Sequence, residues 1–268
     1  MYLCDFHTHT RVSFDSDAPL SEMVAAAQRA GLQELCITDH CDLLDGDGNP
    51  TPTFPWREAL EQYHTRGETP VTVRLGLELS CTPYDPQAAR AILAQAGAEL
   101  DFVLGSLHNW MGAQDNRDFY FTNFTADPDL CRDAVENVLT HTWELVTQYP
   151  DCYDSLAHIT YPLRYMARDG QHLTLEPFRE QVEEVFRQVA ASGHALEVNT
   201  CRGMSLEEWL PLLHWFKACG GEFVTVGSDA HQPEHMALGI PQALELLREA
   251  GFSYVTTYRG RCPVPHKL

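Results

Sequence analysis

The sequence predicts a parallel α/β barrel of about seven or eight βα units. Three observations predict it. Short apolar runs alternate with helical patterns along most of the 268 residues, the rhythm of parallel strands joined by crossover helices. No repeat, low-complexity tract or linker interrupts it, so residues 1–268 read as one domain. The residues with metal-binding chemistry collect at predicted strand ends, the face on which parallel barrels carry their sites.

Taken in order, Tyr2–Phe6 reads as the first strand. Leu20–Ala30 is Ala-rich with Glu22 in its first turn and Gly31 as its stop, which predicts a helix. Glu34–Thr38 is the next strand, followed by a loop rich in Asp, Gly and Pro over 41–55 and a short helix over Trp56–Tyr63. Val71–Leu77 carries β-branched residues in alternation and reads as a strand; Pro86–Ala96 is a helix ended by Gly97. Phe102–Gly105 is a strand. Residues 109–128 are polar and aromatic without a period, as in a long functional loop. Pro128–Tyr149 is a long helix, Ser155–Ala157 a short strand, and Leu175–Ala191 a helix. Ala195–Val198 and Phe223–Val226 are strands flanking a helix over Ser205–Cys219. A helix over Gln242–Gly251 and a peripheral strand over Ser253–Thr257 complete the pattern.

The balance of 18 Lys and Arg against 38 Asp and Glu gives a net charge of −20. Such a surface repels nucleic-acid phosphate at long range, so a phosphate ligand must meet local positive charge from metal ions or a few arginines. The nine cysteines are odd in number and form no CxxC pair, which speaks for reduced thiols in a cytoplasm. The start of the chain lacks the charged and apolar stretches of a signal peptide, and no apolar run approaches the ~18 residues of a membrane span. A cytoplasmic protein is expected.

The chemistry sits where the strands end. The first runs into Asp5-Phe6-His7-Thr8-His9, and strand alternation puts His7 and His9 on one face, where both imidazoles can reach one metal. The second ends in Thr38-Asp39-His40 and the third in Gly76-Leu77-Glu78. The fourth and fifth lead to His108 and His158, and the seventh to Gly227-Ser228-Asp229-Ala230-His231. Each alone has an ordinary structural explanation, as a packed histidine or a capped strand end. Together, on one face, they point to a metal cluster. His64, His141 and His214 fall on helices and receive no role. Mixed imidazole and carboxylate ligands suit Zn²⁺, Mn²⁺ or Fe²⁺.

In this order the motifs resemble those of the PHP (polymerase and histidinol phosphatase) family, and they span residues 5 to 231. The resemblance implies a distorted (β/α)7 barrel with two or three divalent metal ions. Carried over residue by residue, it implies one ion on His7, His9 and Asp229, with Glu78 bridging to a second held by His108 and His158. A third would lie on His40, His231 and the residue at position 15, where many relatives have His and this chain has Asp15. Asp39 precedes a ligand and points away from it, so it reads as a support behind the metal ligands. Arg164 and Arg202 lie in loops where histidinol phosphatases of the family carry arginines, and their planar forks suit phosphate; Arg11 is a third candidate.

The expected reaction is hydrolysis of a phosphate monoester by a metal-bound hydroxide. Glu78, Asp229 and His231 are the residues expected to carry it, and Asp229 or a histidine of the cluster would relay a proton to the leaving alkoxide. The standalone length and the Glu197-Val-Asn-Thr200 strand resemble the histidinol-phosphatase branch, which implies L-histidinol phosphate as substrate and a place in histidine biosynthesis. The alternatives are a phosphoesterase for nucleotides or short oligonucleotides, with Trp110, Phe119, Tyr120, Phe121 and Phe124 as base-stacking surfaces, and a non-catalytic metal-binding module. A metal-barrel hydrolase of carbon–nitrogen bonds would need a lysine ligand, and neither Lys217 nor Lys267 falls at a predicted barrel-strand end.

Overall fold

The computed structural model describes residues 1–125, 128–204 and 206–268. Ala126 and Asp127 of the expected loop, and Ser205, the expected start of a helix, lie outside the described residues. The strands are β1 (Cys4–Asp5), β2 (Glu34–Ile37), β3 (His40–Asp42), β4 (Thr72–Ser80), β5 (Phe102–Ser106), β6 (Ser155–Leu156), β7 (Ala195–Asn199), β8 (Phe223–Gly227), β9 (Tyr254–Arg259) and β10 (Cys262–Lys267). The helices are α1 (Leu20–Arg29), α2 (Trp56–Thr65), α3 (Pro86–Ala96), α4 (Pro128–Gln148), α5 (Tyr161–Arg168), α6 (Arg179–Ala191), α7 (Trp209–Ala218) and α8 (Ile240–Glu249).

The sheet runs β1-β2-β4-β5-β6-β7-β8, every pair parallel, and β3 resumes the path of β2 beside β4 after a break at Thr38 and Asp39. The two ends of the sheet meet. Thr8 bridges Ala230 in parallel, Phe6 N donates to Val226 O at 2.9 Å, and His9 N donates to Ala230 O at 2.9 Å. This is the distorted (β/α)7 barrel that the motifs implied. Its irregularity lies in the two-residue β1 and β6 and in the break between β2 and β3.

Amphipathic helices cover the outside. Met23, Val24 and Ala27 of α1 share a cluster with Leu35, Ile37 and Val73, while Val182, Phe186 and Val189 of α6 share another with Leu196, Val198 and Val224. Removing a side chain such as Phe186 from water contributes about 2–3 kcal/mol. Local signals set the ends: α3 has Pro86 in its first turn, Asp85 accepting from Ala88 N at 2.9 Å, and Gly97 at φ 60° as its stop.

Besides β3, which falls on the expected loop after His40, two elements are absent from the sequence reading. Helix α5 has only eight residues, too short to show a period, yet it carries Tyr161 and Arg164 into the site. The second is β10, which pairs antiparallel with β9 through a two-residue turn at Gly260 and Arg261, φ 54° and 59°. Pro263 and Pro265 argue against a strand, but the register pairs them with Tyr258 and Thr256. In a two-residue hairpin these alternate positions donate no ladder hydrogen bond, so proline is tolerated. Helix α6 also starts at Arg179 rather than Leu175, because a 3₁₀ turn over Glu176–Phe178 precedes it.

Candidate metal centre and active site

The strand ends bring all nine nominated ligands to one mouth of the barrel, around a cavity of about 710 Å³. Close approach of β8 to β1 makes this possible: a Cβ at Gly227 would collide with that of His7 and lie 2.6 Å from Glu197 Oε1. Asp229 and His158 take left-handed backbone, φ 61° and 21°, a strain of about 1–3 kcal/mol for such residues. Asp229 N donates to His7 O at 2.9 Å and His158 N to Glu197 Oε2 at 3.1 Å, which hold these conformations.

The donors fall into three nests. In the first, Glu78 Oε2 lies 3.1 Å from His7 Nε2 and 3.6 Å from His9 Nε2, and Asp229 Oδ1 lies 3.6 and 3.4 Å from the same two nitrogens. In the second, Glu78 Oε1 lies 3.0 Å from His108 Nε2 and 2.7 Å from His158 Nε2, and the two nitrogens are 3.4 Å apart. In the third, Asp15 Oδ2 lies 3.0 Å from His231 Nε2 and 3.6 Å from His40 Nε2, again with 3.4 Å between the nitrogens. Four ligand atoms ~2.0–2.1 Å from a zinc ion form a tetrahedron with edges of roughly 3.3–3.4 Å. The spacings cluster around that value. His9 Nε2 is buried with no hydrogen-bond partner among the described residues, a costly state for a polar atom and one that a cation would relieve. The donor set and its spacing fit divalent ions.

The electrostatics agree. Burial pushes the Glu78 carboxyl up, but His7, His40 and His108 around it hold it well below the usual carboxylate range. Asp229 is likewise held well down against burial, by His7, His9 and Arg164. Burial, then His231 and His40, push His9 well below the usual imidazole value, so it presents a lone pair.

Residues behind the ligands fix them, and of these only Asp39 has a role in the sequence reading. Glu197 Oε1 lies 2.6 Å from His7 Nδ1 and pins that ring with Nε2 toward the first nest. Asn199 Nδ2 lies 3.1 Å from His7 Nδ1 and 3.3 Å from Asp229 Oδ2. Asp42 Oδ1 lies 3.1 Å from His108 Nδ1. Asp39 accepts from Thr10 N at 2.6 Å and from Ser13 Oγ at 2.9 Å, and Ser13 Oγ is 3.1 Å from His9 Nδ1. Asp39 thus supports His9 through Ser13. The available signal was a Glu and an Asn two apart in an otherwise apolar strand, since alternation puts Glu197 and Asn199 on one buried face.

Arg164 Nη1 donates to Asp229 Oδ2 at 2.9 Å and Nη2 to Asn199 Oδ1 at 2.7 Å, and its buried Nε has no partner among the described residues. Arg202 lines the same cavity from an exposed turn in which Cys201, Arg202 and Gly203 all have positive φ. Arg11 is exposed and is not among the residues lining the cavity. The loop after β5 corrects an expectation. Trp110, Phe119 and Phe124 are core residues at 0–2% exposure, so they offer no surface to a base, and only Tyr120 and Phe121 face the cavity. Lys217 lies on α7 and Lys267 on β10, outside the barrel mouth.

The PHP domain model matches residues 5–201. The histidinol-phosphatase of Lactococcus lactis subsp. lactis is 26% identical over 267 residues, covering 96% of this chain and 94% of the relative. A protein of Deinococcus radiodurans named "probable histidinol-phosphatase" is 29% identical, over 95% of this chain and 96% of its own. The crystal structure of histidinol phosphate phosphatase from L. lactis, complexed with zinc, L-histidinol and phosphate, superposes with a TM-score of 0.81 at 25% identity and covers 98% of each chain. The family match runs from the first histidine pair through Glu197 and Asn199, and the fold carries the remaining Asp229 and His231 to the same mouth: this chain belongs to the PHP domain family.

Proposed function

We propose that this chain is a metal-dependent phosphomonoesterase that converts L-histidinol phosphate and water to L-histidinol and phosphate, a cytoplasmic step of histidine biosynthesis. One observation carries the reaction class: donors from all three nests line a single cavity with Arg164 and Arg202. The substrate follows from likeness over nearly the full length to histidinol phosphatases, one of them solved with L-histidinol and phosphate.

His7, His9, Asp229 and Glu78 would hold one ion, Glu78, His108 and His158 a second, and Asp15, His40 and His231 a third, as Zn²⁺, Mn²⁺ or Fe²⁺. Such ions supply an activated water and neutralise phosphoryl charge. The chain's own groups do the rest. Arg164 is fixed by Asp229 and Asn199 and, with five N–H donors in its fork, retains several for a phosphate oxygen. Among the described residues the Arg202 guanidinium has only a 3.9 Å contact, to its neighbour Cys201 Sγ, and can swing onto the dianion from the rim. Asp229 Oδ2, between Arg164 and Asn199, or His231, 19% exposed at the cavity wall, would relay a proton from the attacking water to the leaving oxygen. Burial of three of the five aromatics proposed for base stacking weakens the nucleotide reading.

Phosphate release from L-histidinol phosphate by the purified protein, with Mn²⁺ or Zn²⁺ added and nucleoside monophosphates in parallel, is the test. Strong preference for L-histidinol phosphate is expected. Turnover of nucleotides alone would overturn the substrate while leaving the metal chemistry standing.

A further inference from the structure

The turn between β1 and α1 does more than supply Asp15. Ser13 is buried, and its Oγ stands where three groups meet: His9 Nδ1 at 3.1 Å, His40 N at 3.0 Å and Asp39 Oδ1 at 2.9 Å. Further along the turn, Ser16 Oγ donates to His231 O at 2.7 Å, and Asp15 lies between the two serines with its Oδ2 on His231 Nε2. This turn therefore touches His9 of the first nest and His40 and His231 of the third. The second nest is held by other groups. Asp42 Oδ1 lies 3.1 Å from His108 Nδ1, and Glu197 Oε2 accepts from His158 N.

The bonding capacity of one hydroxyl decides where the protons lie. Ser13 Oγ has one proton to give and two lone pairs to offer. The His40 backbone N–H can only donate, so it takes one lone pair. Asp39 is ringed by donors, with Thr10 N at 2.6 Å and Thr10 Oγ1 at 2.9 Å besides Ser13. An ionised carboxylate in such a ring only accepts, so the Ser13 proton points at it. What remains for His9 is the second lone pair, and its ring must donate from Nδ1. That leaves His9 Nε2 bare of a proton and turned to the first nest. The other tautomer would aim an Nε2–H at Asp229 Oδ1, 3.4 Å away. It would also set the Nδ1 lone pair against a lone pair of Ser13 in a buried place, a costly mismatch.

We infer that Ser13 is a positioning residue shared by two metal nests. It sets the His9 ring in the Nδ1–H tautomer and fixes the backbone of His40, so the first and third nests hang on one hydroxyl while the second does not. The inference rests on the metal-dependent reading above and adds a link between two of its ions through the protein.

Two measurements test it, and the first needs no metal. Long-range ¹H–¹⁵N correlation spectra of the metal-free protein report which nitrogen of each neutral imidazole carries the proton, and the His9 signals are identified by their loss in His9→Gln. The Nδ1–H pattern is expected in the wild type and in Ser13→Thr, which keeps the hydroxyl, and its loss in Ser13→Ala. An Nε2–H pattern in the wild type overturns the inference, whatever the protein hydrolyses. The second measurement is competition for Zn²⁺ against a chromogenic chelator. Ser13→Ala should weaken two ions by about 10- to 100-fold, the usual effect of losing a partner behind a metal-ligating histidine, and leave one ion at wild-type affinity. Ser13→Thr should restore both. Unchanged affinities in Ser13→Ala, or weakening of one ion alone, refute the shared hold. Uptake of fewer than three ions by the wild type would overturn the three-ion reading instead, and the tautomer of His9 still decides the role of Ser13.

Discussion

Glu197 offers the sharpest test of how the protein holds its metal ligands. Its Oε1 faces His7 Nδ1 at 2.6 Å and Asn199 Nδ2 at 3.3 Å, while Oε2 accepts from His158 N at 3.1 Å. Replacing it by Gln keeps the volume but gives only one acceptor oxygen. If the amide oxygen stays on His7, the amide nitrogen confronts the His158 N–H; if it flips, two donors meet at His7. Either way one buried hydrogen bond to a charged group is lost, about 1.5–3 kcal/mol. The groups that lose it, His7 and His158, belong to the first and second nests. Loss of an orienting partner behind a metal-ligating histidine typically lowers metal affinity or activity by about 10- to 100-fold. The assay is competition for Zn²⁺ against a chromogenic chelator, with phosphate release measured on the same samples. Metal affinity within about twofold of wild type would refute the idea that Glu197 fixes these rings.

Other perturbations separate further roles. Arg202→Ala should raise KM about tenfold or more with metal content unchanged, since Arg202 pairs with no carboxylate among the described residues. Arg164→Ala should lower metal occupancy as well, because it releases Asp229; wild-type KM in both variants removes these arginines from the phosphate site. Arg261→Met leaves Asp154, 5% exposed, without its cation at 3.0 Å. With the arginine partly in solvent, the cost is about 2 kcal/mol, or ~4–8 °C in Tm for a chain of this size. His194 packs against the Tyr153 ring and is pushed down to about 4 by burial and by Arg261. The folded state thus binds fewer protons than the unfolded one between pH 6.5 and 4, so His194 costs stability as pH falls through that window. Urea midpoints of His194→Asn should vary less with pH there than those of wild type.

The sequence was legible where a local pattern suffices. Helix α3 begins and ends at the expected residues because Asp85, Pro86 and Gly97 encode both ends. The His-x-His pair was legible because strand alternation fixes a shared face within three residues, and Asp229 and His231 because they follow directly on a predicted strand end. What lay hidden depends on partners distant in sequence. Glu197 is an ordinary carboxylate until the barrel places it against His7, 190 residues away. The aromatics at 109–124 could not be sorted into core and surface without the packing that buries Trp110 against Phe119.

The closure of the barrel has a consequence for how the protein reaches its native state. The contact of Thr8 with Ala230 joins the two ends of the sheet and spans most of the chain, so it is costly in loop entropy and forms late. His7 and His9 stand on one side of that seam, Asp229 and His231 on the other. An ion seated there would act as a rivet across the last contact to form. Because it binds the closed ring and not the open one, it shifts the balance by mass action. Metal supply would then govern how long the barrel stays shut, and in scarcity the exposed edge of β8 would become the protein's point of failure.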